Sequence, residues 1–162
     1  MVSNAILSEF HKRAHTSFAM MLKHCRELTD DELNRQIDGF GVSTVRLQFH
    51  HQIGAERYWI SVLKGRMDVE DDSDRYLTID AMNEFRLKVF TTTEEYLNTA
   101  SEDELITPRK MMTWGNKERI LVPTHVFMRT LTHIYHHHGQ IAAMCRIMGK
   151  PIPLGMDYPV IE

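Results

Sequence analysis

Thr132 to Pro151 reads THIYHHHGQIAAMCRIMGKP. A helix turns by about 100° per residue, so His133 and His137 lie about 40° apart around it and one turn apart along it. The same stripe carries Val122, Val126, Thr130, Gln140, Met144 and Met148, an apolar face with two imidazoles in its middle. His138 is rotated toward Phe127, Leu131 and Cys145, and His136 sits at the other border near Arg129. Pro123 suits the first turn of such a helix, and Gly149 followed by Pro151 and Pro153 suits its end. The spacing predicts one long helix, and the histidines belong to its periodic pattern rather than to an appended tag.

A second stretch repeats this arrangement. A helix is expected from near Ser43, as N-cap, to near Gly65. His51 shares a stripe with Thr44, Leu47, Ala55, Tyr58 and Val62 and is expected to face the core. His50, turned toward Arg46, Arg57 and Ser61, is expected to face water. Burying three imidazoles requires compensation for their lost hydration. A hydrogen bond can serve one of them, whereas a divalent ion serves three together, each neutral nitrogen donating a lone pair at about 2.0–2.1 Å. His51, His133 and His137 are therefore the candidate metal ligands. Hydrogen-bonded core histidines are the alternative, because helical His pairs arise readily in a chain with ten of them.

Two further helices complete the pattern. One runs from about Asn4 to Leu28, with Ile6, Phe10, Ala14, Phe18, Met21, Leu22 and Cys25 at helical spacing. The other starts after Thr78 and ends near Ala100. LTDDEL, from Leu28 to Leu33, suits a short capped turn, with Thr29 or Asp30 as N-cap. The acidic stretch RMDVEDDSDRY reads as a solvated crossover, and residues 101–120 as a long loop or short hairpin around Trp114-Gly115-Asn116. Four long helices in a 162-residue chain point to a single all-α domain, a four-helix bundle.

Composition narrows the partners. The formal charge is −3 and no stretch concentrates Lys and Arg, which argues against nucleic acid. No membrane span and no signal peptide are read, so a cytoplasmic protein is expected. Cys25 and Cys145, far apart and each within a helical pattern, read as buried thiols rather than a disulfide.

His51-Gln-Ile-Gly-Ala-Glu56, followed by Tyr58-Trp59, resembles the second-helix motif of the DinB-like (damage-inducible) family, a His five residues before a Glu. Thr132–Pro151 resembles its fourth-helix motif, in which a His precedes Arg-Gly-Gln and another His stands four residues earlier. Aligned on Gly139-Gln140, those two are His137 and His133. The similarity extends over nearly the whole chain, including LTDDEL. One departure is clear: His138 stands where the family usually has Arg or Lys, which touches the surroundings of the triad and not the triad itself. The resemblance implies an up-down-down-up four-helix bundle with a three-His metal site at one end, and frequent homodimers. Characterised members of the family are metal-dependent thiol transferases and isomerases that use low-molecular-weight thiols such as bacillithiol or mycothiol.

Three protein ligands leave a divalent ion with exchangeable positions, which lower the pKa of a bound thiol or water. The favoured expectation is S-transfer from a small-molecule thiol to an electrophile. Metal-dependent hydrolysis and a non-catalytic, structural-metal module are the alternatives. No carboxylate shares the ligand stripes, which fits thiol activation, and Glu56, about 140° from His51, reads as a buried structural carboxylate paired with an Arg. Gln140 or His136 as a fourth ligand would favour a structural ion. Zinc or nickel is expected ahead of iron or manganese. Tyr58 and Trp59 read as core aromatics in preference to pocket walls. A homodimer is expected because Phe49, Ile53, Ile60 and Leu63 lie away from His51 and read as surplus apolar surface.

Overall fold

The computed structural model describes residues 4–68, 70–153, 157 and 159. In chain order its main elements are α1 (Asn4–Cys25), α2 (Asp30–Asn34), α3 (Val45–Leu63), α4 (Ile79–Thr99), α5 (Glu102–Ile106), β1 (Arg109–Thr113), β2 (Lys117–Leu121) and α6 (Pro123–Ile147). The protein is mostly helical, and the irregular region expected before Pro123 holds a short helix and a hairpin. The hairpin pairs Arg109 with Leu121 and Thr113 with Lys117, antiparallel. Its turn needs left-handed backbone, supplied by Gly115 at φ 70° and Asn116 at φ 55°.

Side-chain caps start α2, α3, α4 and α5, while α6 opens on Pro123 without one. Thr29 accepts from the Glu32 N–H while the Glu32 carboxylate accepts from the Thr29 N–H, a capping box that starts α2. The cap of α3 is Thr44, one residue after the expected Ser43, accepting from Leu47 at 3.1 Å. Thr78 and Ser101 cap α4 and α5 in the same way. At the other end, α3 and α6 close on paired reverse hydrogen bonds. Gly65 donates to Val62 and Arg66 to Ser61; Gly149 donates to Arg146 and Lys150 to Cys145. Both glycines have positive φ, as that C-terminal geometry requires.

The four long helices pack in a ring, α1 against α4 and α6, and α3 against the same two. End contacts fix their senses. The Asn4 amide at the start of α1 donates to the Leu97 and Ala100 carbonyls at the end of α4, so these run antiparallel. Cys25 and Cys145, near the ends of α1 and α6, bring their Sγ atoms to 3.9 Å, so those two run together. Both are free, buried thiols. α1 and α3 meet across the middle, where Phe18 stacks on Phe49 at 5.8 Å.

Two helix phases differ from those expected. On α1 the buried stripe is Leu7, His11, Ala14, His15, Phe18, Met21, Leu22 and Cys25, and Ile6 is exposed. On α3 the buried face is Val45, Gln48, Phe49, Gln52, Ile53, Glu56, Ile60 and Leu63. Phe49, Ile53, Ile60 and Leu63 are therefore core, not surplus dimer surface. His51 lies on the exposed side of α3, and half-buried His50 bonds Asp72 at 2.9 Å. Arg57 joins Asp72 at 2.8 Å and Arg46 donates to the Ser73 carbonyl, so the acidic crossover is tied to α3 rather than free in solvent. Among the described residues, no helix is long and apolar enough to cross a membrane.

A Cβ on Gly149 would meet nothing within 4 Å, so its substitution tests backbone conformation alone. Gly149→Ala is expected to cost about 1 kcal/mol, the penalty of a left-handed non-glycine residue, read as a lower urea midpoint at unchanged slope.

Candidate metal centre

α3 and α6 are neighbours in the ring and bring His51 to His133 and His137. One ligand atom from each lies within 4.8 Å of the others. Ring centroids are 4.3 Å apart for His133 and His137, 4.8 Å for His51 and His137, and 5.2 Å for His51 and His133. The site is graded in depth: His51 is exposed, His133 half-buried and His137 buried.

A chain of amides fixes the ring of His137. Gln48 donates through Nε2 to the Gln140 Oε1 at 2.7 Å and to the Val42 carbonyl at 2.6 Å. Its Oε1 therefore accepts from His137 Nδ1, which must carry the proton and leave Nε2 with a lone pair. Gln140 in turn donates to Nε2 of exposed His136 at 2.8 Å. Gln140 and His136 are thus bonded to one another rather than aimed at the triad as a fourth ligand.

All three imidazoles are poised neutral. Burial and the like charge of His50 lower the pKa of His51. Burial, then repulsion from His51, Arg129 and His136, lowers His133 to about 4. Burial, then the neighbouring histidines with His133 foremost, lowers His137 to about 3. Neutral nitrogen donors converging on one point, with no carboxylate among them, fit a borderline divalent ion.

Cavities flank the triad on both sides. One, of about 440 Å³, is lined by His51 and by Tyr58, Trp59 and Trp114; Tyr58 and Trp59 are half-buried against the core, as expected, and also wall the pocket. The other, of about 410 Å³, is lined by Arg129, Thr132, His133 and His136.

A second cluster, His11, His15 and Glu56, lies fully buried between α1 and α3. Glu56 accepts from His11 Nε2 at 2.8 Å, His15 Nε2 at 2.9 Å and Thr93 Oγ1 at 2.8 Å. Its partners are thus two histidines and a threonine, where an arginine was expected. His11 Nδ1 reaches Glu94 Oε1, so both its nitrogens face carboxylates and both must donate. Burial alone would lower the His11 pKa, but the bonds and charges of Glu56 and Glu94 outweigh it and raise it. Burial would raise the Glu56 carboxyl, yet His15 and His11 hold it far below its usual range. Arg86 approaches His15 Nδ1 at 3.2 Å, and a guanidinium can only donate. His15 Nε2 therefore carries the proton given to Glu56 and has no lone pair for a metal. Two carboxylates, Glu56 and Glu94, face the His11 imidazolium, the Arg86 guanidinium and, at the rim, Lys12 at 3.4 Å, and the cluster is an internally paired ion network. Its signal in the sequence was the i, i+4 pair His11 and His15, the same spacing that marks α6.

His138, set aside in the sequence as a border residue, is buried, T-shaped against Phe18 at 5.2 Å and 3.5 Å from Ser17 Oγ. Burial, with His15 adding repulsion, lowers its pKa to about 3, so it is a neutral core histidine.

The DinB family model matches residues 3–162. No curated protein matches the chain in sequence. A solved structure described as the conserved protein of a locus from Enterococcus faecalis superposes with a TM-score of 0.67 at 17% identity, covering 93% of this chain and 99% of that one, a likeness of fold.

Removing the Glu56 charge separates the two clusters. Glu56→Gln is expected to destabilise the protein by about 1–3 kcal/mol, because His11 keeps Glu94 while His15 and Thr93 lose a charged acceptor, and metal content per chain stays unchanged. A fall in bound metal by emission analysis in a variant whose circular dichroism is unchanged would refute the assignment. A second expectation concerns pH. His133 and His137 bind protons near pH 6.5 when unfolded but only near 4 and 3 when folded. Their contribution to metal-free stability is complete above about 6.5 and is lost as pH falls toward those folded values. His137→Ala, denatured in urea across that window, should show a shallower loss than the parent.

Proposed function

The chain belongs to the DinB family, and we propose that it is a divalent-metal protein that transfers the sulfur of a low-molecular-weight thiol to an electrophilic small molecule. The observation that carries this reading is the convergence of three neutral imidazoles on one point, with the outermost, His51, open to a cavity. A divalent ion held by His51, His133 and His137 would lower the pKa of a thiol entering from that cavity and keep it as thiolate. Zinc and nickel suit the donor set ahead of iron and manganese. Gln48 holds His137 with its lone pair turned toward the other two rings, and the exposed side of His51 admits the thiol. The thiol proton leaves to solvent, sulfur bonds to the electrophilic carbon, and the leaving group departs. The absence of a carboxylate from the triad supports thiol activation over hydrolysis, which calls for a dedicated base. The pairing of Gln140 with His136 weighs against a structural ion, which needs a fourth protein ligand.

The up-down-down-up order of the long helices belongs to this reading and is supported by the end contacts of α1 with α4 and α6. So does a homodimer, for which exposed Met20 on α1 and Met128 and Ile147 on α6 offer apolar surface in place of the buried α3 residues. Light scattering at high micromolar concentration should give twice the chain mass, and a monomer mass would end that part of the proposal.

The metal reading has a direct test. His51→Ala, His133→Ala and His137→Ala should each sharply reduce bound metal, and His50→Ala and His136→Ala should not. Because the ligand pKa values are depressed, metal should be retained well below the ordinary imidazole value of about 6.5. In the cobalt-loaded protein a small thiol should produce a sulfur-to-cobalt charge-transfer band in the near ultraviolet. Failure of every thiol to do so would defeat the transferase reading.

A further inference from the structure

The cavity beside His51 carries more chemistry than an opening needs. Three of its walls are aromatic: Tyr58, Trp59 and Trp114. Tyr58 stands edge-on to Trp59 at 5.0 Å and to Trp114 at 6.2 Å. Its phenolic oxygen accepts the Trp114 N–H at 2.6 Å, fastening the tip of the hairpin over α3. Trp114 is nevertheless 68% exposed, an unusual state for an indole that only packs.

The rim of the same cavity is acidic. Asp68, Glu70 and Asp71 line it, against one guanidinium, Arg57. That guanidinium approaches Asp68 at 3.5 Å, and Arg75 pairs with Glu70 at 2.9 Å, so Asp71 is the rim carboxylate left without an ion pair among the described residues. Arg57 also bonds both oxygens of Asp72, at 2.8 and 3.2 Å, and the Glu70 carbonyl at 2.7 Å. Four carboxylates, Asp68, Glu70, Asp71 and Asp72, against the guanidiniums of Arg57 and Arg75 leave the rim net negative beside its aromatic walls. Across the triad the cavity on the α6 side is lined by Arg129 with His133 and His136, and that guanidinium already lies over the Trp59 ring at 6.0 Å, so Tyr58 and Trp114 are the aromatic walls left for a further cation.

We propose that the aromatic and acidic cavity is a binding site for an organic ammonium group, which makes the thiol drawn to the triad an aminothiol. Aromatic faces attract a cation through the quadrupole of the ring, most strongly for Trp. The rim carboxylates add charge attraction, and the same field disfavours an anion there. Sharing His51 between cavity and triad puts an ammonium in the pocket and a sulfur at the triad within one small molecule. The aminothiol half rests on the metal reading above, and the ammonium site does not.

The only two tryptophans of the chain both line this cavity, so their fluorescence reports on it directly. The full chain, metal-free and metal-loaded, is titrated with choline and with 3,3-dimethyl-1-butanol, which has the same shape and no charge. Choline should saturate the signal and bind about tenfold more tightly than its neutral isostere. Asp71→Asn, an exposed substitution, and Trp114→Ala should each weaken choline several-fold without changing the circular dichroism spectrum. Equal binding of choline and its isostere, or no effect of either substitution, would overturn the ammonium site. In the cobalt-loaded protein cysteamine should give its charge-transfer band at lower concentration than N-acetylcysteamine, and choline should compete with it. If the cysteamine advantage survives in Trp114→Ala, the amine is chelating the metal and the aminothiol inference fails. If choline binds as expected while no thiol produces the band, the ammonium site stands and the transferase reading falls.

Discussion

Glu56 is a carboxylate buried in the middle of the bundle, and the rest of the site depends on how it is satisfied. An unpaired charge there would be costly, and His11, His15 and Thr93, from α1 and α4, converge on it. That demand sets the rotation of α3. With Glu56 turned toward α1 and α4, a residue five positions earlier points about 140° away. His51 is therefore carried out of the core to the border with α6, where His133 and His137 meet it. The exposed opening of the triad follows from the needs of a carboxylate on another face of the same helix.

Two groups of histidines share one bundle in opposite protonation states. His11 lies between two carboxylates and is held as an imidazolium. His133 and His137 face other imidazoles and no carboxylate, so burial and repulsion hold them neutral. Side-chain type is the same in both, and the neighbours alone decide the charge. The charged group is closed, because each acceptor already has its donor. The neutral group is open, with lone pairs converging and only His137 fixed by an amide behind it. A cation belongs with the second group and is redundant in the first.

The small elements between the long helices shape the approach to the triad. The hairpin reaches back over α3 through Trp114 and Tyr58, and the acidic crossover is held down by Arg46, His50 and Arg57. Both connect successive helices, yet together they wall a cavity that shares His51. The exposed indole of Trp114 and the negative charge thus come from the connecting segments, while Tyr58 and Trp59 come from α3 itself.

Much of this was legible along the chain. Helical periodicity, the threonine caps at Thr29 and Thr78, and the closing glycines at Gly65 and Gly149 are local effects, so the long helices and their ends could be placed from residue order. The i, i+4 spacing of His133 and His137 puts both on one face of any helix. The inward face of α3 was a different matter. The sequence pattern puts His51 on an apolar stripe that is only partly buried, and leaves as surplus Phe49, Ile53, Ile60 and Leu63, which form the core. Both faces of that helix carry apolar residues, so hydropathy could not choose between them. The choice was made by partners distant in sequence, the two histidines of α1 that donate to Glu56. Periodicity is a property of one segment and is written in it; the rotation of a helix about its axis is set by what the other helices bring to its buried charge.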